Sequence, residues 1–101
     1  MAAIGATAIA SAQSGAPTAK LVTTRNNSWE FGVGNYFDNA IARTPGAGQS
    51  IVHQDLAPVG DTYWVQMQNA PTPLSGTAVV LNDPAPAGDR NNFAVVEILP
   101  R

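Results

Sequence analysis

The sequence predicts an all-β protein: an antiparallel β-sandwich, Ig-like or jelly-roll-like, complete or cut from a larger one. Three observations carry that expectation. Short runs rich in Val, Ile, Thr and aromatic residues recur at near-regular spacing between turn clusters. Several of these runs alternate with a period of two. No stretch sets apolar residues at helical spacing, and 9 Gly with 8 Pro outnumber the charged residues, Lys+Arg 5 and Asp+Glu 7.

Residues 1–18 are rich in Ala, Ser and Gly and carry neither an apolar stripe nor a charge. They read as a linker or an inter-strand connection with little structure of its own. Residues 19–100 read as the β-sandwich domain or half-domain. The first expected strand is 19–24, ended by Arg25-Asn26-Asn27. The second is 28–35, with Trp29, Phe31 and Val33 on one face, and Trp29 and Phe31 are expected in the core. Gly32 and Gly34 share the other face, where a Cβ would block the close approach of backbone or of neighbouring rings. Residues 35–39 form a turn with two aromatics, and Pro45-Gly46 marks a loop. The third strand is 50–56 and the fourth 62–69, where Tyr63, Val65 and Met67 alternate with Trp64, Gln66 and Gln68. That alternation predicts one solvated and one buried face. The fifth strand is 76–82. The loop 83–92 follows, with Pro84, Pro86 and Gly88. The sixth strand, 93–99, is apolar on both faces except at Glu97, the pattern of a strand buried on both sides.

Composition excludes several functions. A net charge of −2 gives no basic patch for a phosphate backbone, so no nucleic-acid partner is expected. With Cys 0 there is no disulfide framework, thiolate nucleophile or Cys-ligated zinc. No apolar run is long enough to span a membrane as a helix, and the N-terminal residues lack the basic and Leu-rich regions of a signal peptide.

The pieces SGAPTA, FGVGN…DNAIART, VHQ, GDTYWVQ and NDPAPAGDR…VEI follow one another between Ser14 and Pro100. Together they resemble a β-sandwich module of large bacterial secreted and cell-surface proteins, where it occurs beside Ig-like and fibronectin-type-III-like repeats and has no settled biochemical activity. The resemblance implies an extracellular or cell-surface location. It also implies that this chain corresponds to the C-terminal half of the module. Its partners would then be upstream strands of the same parent protein or a second copy, and the isolated chain would be marginal, dimeric or aggregation-prone. The chain departs from the resembled pattern at Tyr36, Asp55, Met67 and Asn91, which puts in doubt any ligand site built from those positions.

The candidate sites are few. His53 is the sole histidine, lies mid-strand and has no G-x-S-x-G elbow to serve, so a structural, cross-strand hydrogen-bonded role is expected of it. Gly32-Val33-Gly34 lacks the third Gly and the helix of a phosphate loop. Asp38, Asp83 and Asp89 lie in loops and could supply oxygens to Ca²⁺, but no EF-hand spacing is present, and plain turn chemistry is the expected explanation, with no cofactor. Tyr36, Phe37, Tyr63 and Trp64, with Gln66, could form a glycan-stacking surface, against a default of core packing. Glu97, inside an apolar strand, needs a partner; an ion pair with Arg90, or with Arg43, is expected. The expected function is a non-catalytic structural or adhesion module. The alternatives are a carbohydrate-binding module and a fragment of a secreted hydrolase.

Overall fold

The computed structural model describes residues 3–101. The described residues form seven strands: β1 (Ile4–Ala12), β2 (Thr18–Val22), β3 (Trp29–Tyr36), β4 (Gln49–Ala57), β5 (Asp61–Gln68), β6 (Ala78–Asn82) and β7 (Asn91–Ile98). All pairings are antiparallel. One sheet has five strands in the order β1-β7-β3-β5-β4, and the other is the pair β2-β6. The fold is therefore β-sandwich-like, with one layer much narrower than the other.

Six strands match the runs expected from sequence to within two residues at most boundaries. The seventh, β1, corrects the reading of residues 1–18 as a segment without structure of its own. Ile4–Ala12 pairs along β7, with Ile9 opposite Ala94 and Ala12 opposite Asn91. Ala6, Ala8 and Ala10 point inward against the core, while Thr7, Ile9 and Ser11 are exposed. The period is two, but the inward residue is always Ala. Alanine buries little area and favours helix, so the strand exists because β7 supplies a ladder for its backbone rather than through its own apolar pattern. Met1 and Ala2 lie outside the described residues.

The core lies between the layers. Ala19 and Leu21 of β2 and Val79 and Leu81 of β6 pack on Phe93 and Val95 of β7, Trp64 of β5 and Tyr36 of β3. Gly32 and Gly34 face this core, as their spacing predicts. A Cβ on Gly32 would stand 2.7 Å from the Phe93 ring, and one on Gly34 would fall within the Trp64 indole. The two rings lie 5.6 Å apart at a tilt of 35°, so the strand gives up side chains where the rings need space. Gly34→Ala is expected to cost about 2–3 kcal/mol by overpacking, read as a lower urea midpoint with an unchanged slope.

The faces of the large sheet are the reverse of what hydropathy alone suggests. In β5 the inward residues are Thr62, Trp64 and Gln66, all buried, and the outward ones are Tyr63, Val65 and Met67. In β3 the inward set is Glu30, Gly32, Gly34 and Tyr36. Trp29, Phe31 and Val33 face outward, which corrects the expectation that Trp29 and Phe31 are core. In β7 the inward set is Asn91, Phe93, Val95 and Glu97, and Ala94, Val96 and Ile98 lie outward, half-buried by their neighbours in the sheet alone. The sixth run is thus apolar on both faces without a layer over each. Among the described residues, the ten buried polar or charged residues outnumber the eight buried hydrophobic ones. Polar groups inside have to be paired, and those pairings define the candidate sites.

Candidate functional site

Two polar centres lie inside the sandwich. The first surrounds Glu97, whose side chain is fully buried. Its Oε2 accepts hydrogen bonds from the Thr24 amide (2.8 Å), the Arg25 amide (3.2 Å) and the Ser28 hydroxyl (2.6 Å). Its Oε1 accepts from the Ala6 amide (2.9 Å) and the Thr24 hydroxyl (2.8 Å). Burial by itself would raise this carboxyl. The bonds from Ser28, Ala6 and Thr24 outweigh it and hold the pKa down at about 2. Glu97 is therefore an anion enclosed by neutral donors. The expected ion pair with Arg90 does not form: Arg90 pairs instead with Asp38 at 2.9 Å on the exposed surface. The sequence draws attention to cations. The partners are backbone amides and hydroxyls of the turn after β2, which no charge count reveals.

Glu30 is the cross-strand neighbour of Glu97 and is also fully buried. Thr72 donates its hydroxyl to Glu30 Oε2 at 2.9 Å, and Oε1 has no partner. Burial first, and the Glu97 charge beside it, raise the Glu30 pKa, against the Thr72 bond that lowers it. Two carboxyls pushed in opposite directions resemble an acid–base pair. Here both side chains are fully buried, held by donors from β1, the β2–β3 turn and Thr72, so they join strands and turns that are distant in sequence.

The second centre is the ion pair of Arg43 and Asp83, 3.3 Å apart with both side chains fully buried. The guanidinium lies 4.3 Å from the Tyr36 ring centroid and 4.7 Å from that of Trp64, a double cation–π contact. It also donates to the Pro86 carbonyl at 3.1 Å. Burial pushes the Asp83 carboxyl up to about 6, although Arg43 and Gln66 pull it down. Beside the pair, Gln66 donates to Gln49 Oε1 (2.6 Å) and to the Asn82 carbonyl (2.9 Å), and it accepts from the Trp64 indole (3.0 Å). The Tyr36 hydroxyl accepts from the Gly88 amide at 3.3 Å.

These contacts relocate the sequence-derived candidates. Tyr36 and Trp64 are 1% and 2% exposed and Gln66 is fully buried, so three of the five proposed glycan contacts belong to the core. Phe37 is half-buried with Arg90 over its ring at 5.4 Å, which leaves Tyr63, 45% exposed, as the accessible ring of the set. The Tyr63 hydroxyl donates to Asp61 at 3.0 Å, and that bond raises its pKa. The three acids are not gathered together. Asp83 is in the core, Asp38 is engaged by Arg90, which lowers its pKa, and Asp89 accepts from Asn39 in an exposed loop. Among the described residues no three His, Cys, Asp or Glu side chains form a metal-sized group. His53 is exposed on the edge strand β4 opposite Val65, so the expected cross-strand hydrogen bond has no side-chain partner in register. No helix of the described residues is long and apolar enough to cross a membrane. The chain matches no protein-family model, no curated protein and no solved structure.

Proposed function

We propose that the chain is a non-catalytic structural or adhesion module of a bacterial extracellular or cell-surface protein. The observation that carries this reading is the use of the buried ionisable groups. Glu97 is enclosed by donors from β1 and the β2–β3 turn, and Asp83 is held by Arg43 between two rings. Both centres are buried, and both join segments distant in sequence. A catalytic group needs reach to a bound reactant. A clamp needs enclosure, and that is what these residues have. The location follows from the resemblance of the SGAPTA-to-VEI pieces alone.

The carbohydrate alternative now rests on Tyr63 and its neighbours on the outer face of the five-stranded sheet. A panel of soluble polysaccharides tested by affinity electrophoresis decides between the two. The expected result is no retardation of the chain by any member. Specific retardation that disappears in Tyr63→Ala would replace the structural reading with a glycan-binding one.

A further inference from the structure

The outer face of the five-stranded sheet carries the side chains that hydropathy would assign to a core. From the pairing register, three successive rows run across it. Trp29 is in line with Ile98, then Phe31 with Val96 and Met67, then Val33 with Ala94, Val65 and Ile9. The fourth row is polar: Asn92, Asn35, Tyr63 and Asp55. The β2-β6 layer packs on the opposite face; on this one Val33 is 54% and Ile9 86% exposed, and Trp29, Phe31, Val65 and Met67 are partly buried. Five strands spaced about 4.8 Å apart, by four rows about 6.7 Å apart, give a flat footprint on the order of 600 Å², and side-chain relief adds to it. The three apolar rows on β1, β7, β3 and β5 make up on the order of 400 Å² of it, a patch of the size monomers carry, and the whole face, with its polar row, approaches the roughly 800 Å² per partner of a stable interface.

We infer that this face is covered by a second copy of the same chain, in a two-fold dimer packed sheet on sheet. Shape, charge and polarity point to one arrangement. At the third and fourth rows the β1-β7-β3 side is hollow, a depression of about 500 Å³ lined by Ile9, Val33, Ala94, Asn35 and Asn92 and the Gly34 backbone. Beside it on β5, Val65 and Tyr63 face outward, Tyr63 45% exposed. β3 is the middle strand. A two-fold axis lying in the interface along β3 therefore sets Val65 and Tyr63 of each copy over the hollow of the other. The same axis matches the rows with themselves, apolar on apolar and Asn35-Tyr63 on Asn35-Tyr63, so neither copy buries a polar row against an apolar one. The three apolar rows carry no acidic or basic side chain between β1 and β5, so like charges do not meet at the centre. Aligned packing of twisted sheets at about 30° accommodates the geometry.

Sedimentation velocity of the chain between about 1 and 200 µM tests the assembly, and site-specific crosslinking tests the face. The axis brings Val33 close to Val33 of the second copy. The chain has Cys 0, so Val33→Cys introduces one thiol, and a short bis-maleimide should give a covalent dimer. Val80→Cys, on the outer side of β6 and 42% exposed, should not. Val33→Glu should raise the dimer dissociation constant at least 100-fold while leaving a folded monomer, since position 33 meets solvent in the single chain. Tyr63→Lys serves the same purpose if Val33→Glu does not fold. A monomer throughout the concentration range would overturn the inference. So would a dimer that survives both charged variants, or one that crosslinks through position 80 rather than 33, since either would place the contact on an edge strand or on the other layer.

Discussion

Glu97→Gln is expected to destabilise the fold by about 3–5 kcal/mol, a large part of the roughly 5–15 kcal/mol available to a chain of 101 residues. The glutamine has the same shape but half the acceptors. If its carbonyl oxygen takes the Ala6 amide and the Thr24 hydroxyl, its NH₂ group meets the Thr24 and Arg25 amides and the Ser28 hydroxyl. The hydroxyl can turn and accept. The two amides cannot, and each buried amide left unpaired costs about 1–3 kcal/mol. The loss also reaches beyond one strand, because the carboxylate ties β1 and the β2–β3 turn to β7. Urea denaturation of the variant should show a midpoint lowered in proportion. Ser28→Ala, which removes one donor of five, should cost about 1–2 kcal/mol and remain well folded. A Glu97→Gln midpoint within error of the parent would show that the enclosure adds no stability.

The same enclosure sets the behaviour of the fold in acid. The Glu97 pKa is about 2 in the folded chain and near 4.5 when unfolded. A depressed carboxylate contributes stability that is fully present above the unfolded value and is lost as pH falls toward the folded one. The difference corresponds to about 3 kcal/mol, lost between roughly pH 4.5 and pH 2. Ser28→Ala weakens the enclosure and raises the folded pKa, so its acid limb should span a narrower pH range and have a smaller amplitude. Urea midpoints at half-unit pH steps measure both curves.

How much of this was legible in the sequence depended on which physical signal each feature left. Short β-rich runs bounded by Gly, Pro and Asn, several with period two, announced β2 to β7, and the pair Gly32 and Gly34 announced a close approach of backbone or rings, which is that of the Phe93 and Trp64 rings. β1 left almost no signal, because its inward residues are Ala6, Ala8 and Ala10 and its stability is borrowed from the β7 ladder. Sidedness was not legible either. Alternation shows that β5 has two faces but not which one is inside, and the usual rule fails here because Gln66, Glu97 and Asp83 are satisfied by partners from other segments. Glu97 stood out as a carboxylate needing a partner. Its five donors were hidden, since a backbone amide is present at almost every residue and marks none of them. Tyr36, read as a turn aromatic free to stack on a sugar, instead ends β3 and lies under Arg43.

Arg43→Met should be nearly as damaging as Glu97→Gln, and for the opposite reason: it leaves an anion, rather than amides, without a partner. Methionine fills part of the space between Tyr36 and Trp64 and keeps some of the packing. It cannot balance Asp83, and removing one member of a buried pair costs about 3–5 kcal/mol when the other stays charged. That condition makes the effect depend on pH in a way that simple loss of packing does not. In the parent, burial has already raised Asp83 to about 6, against the pull of Arg43 and Gln66. For an acid raised on folding, the favourable contribution is complete below the unfolded value near 3.8 and disappears as pH rises through the folded one. Without Arg43 the folded value moves higher still, so the variant escapes its penalty by protonating Asp83 over a wider range. The difference in stability between parent and Arg43→Met should be largest near pH 7–8 and shrink toward pH 5. Asp83→Asn placed on Arg43→Met should then recover stability at pH 7 and very little at pH 5. A pH-independent difference between the two proteins would mean that the guanidinium acts by filling space between the rings, and that its charge is balanced by something other than Asp83.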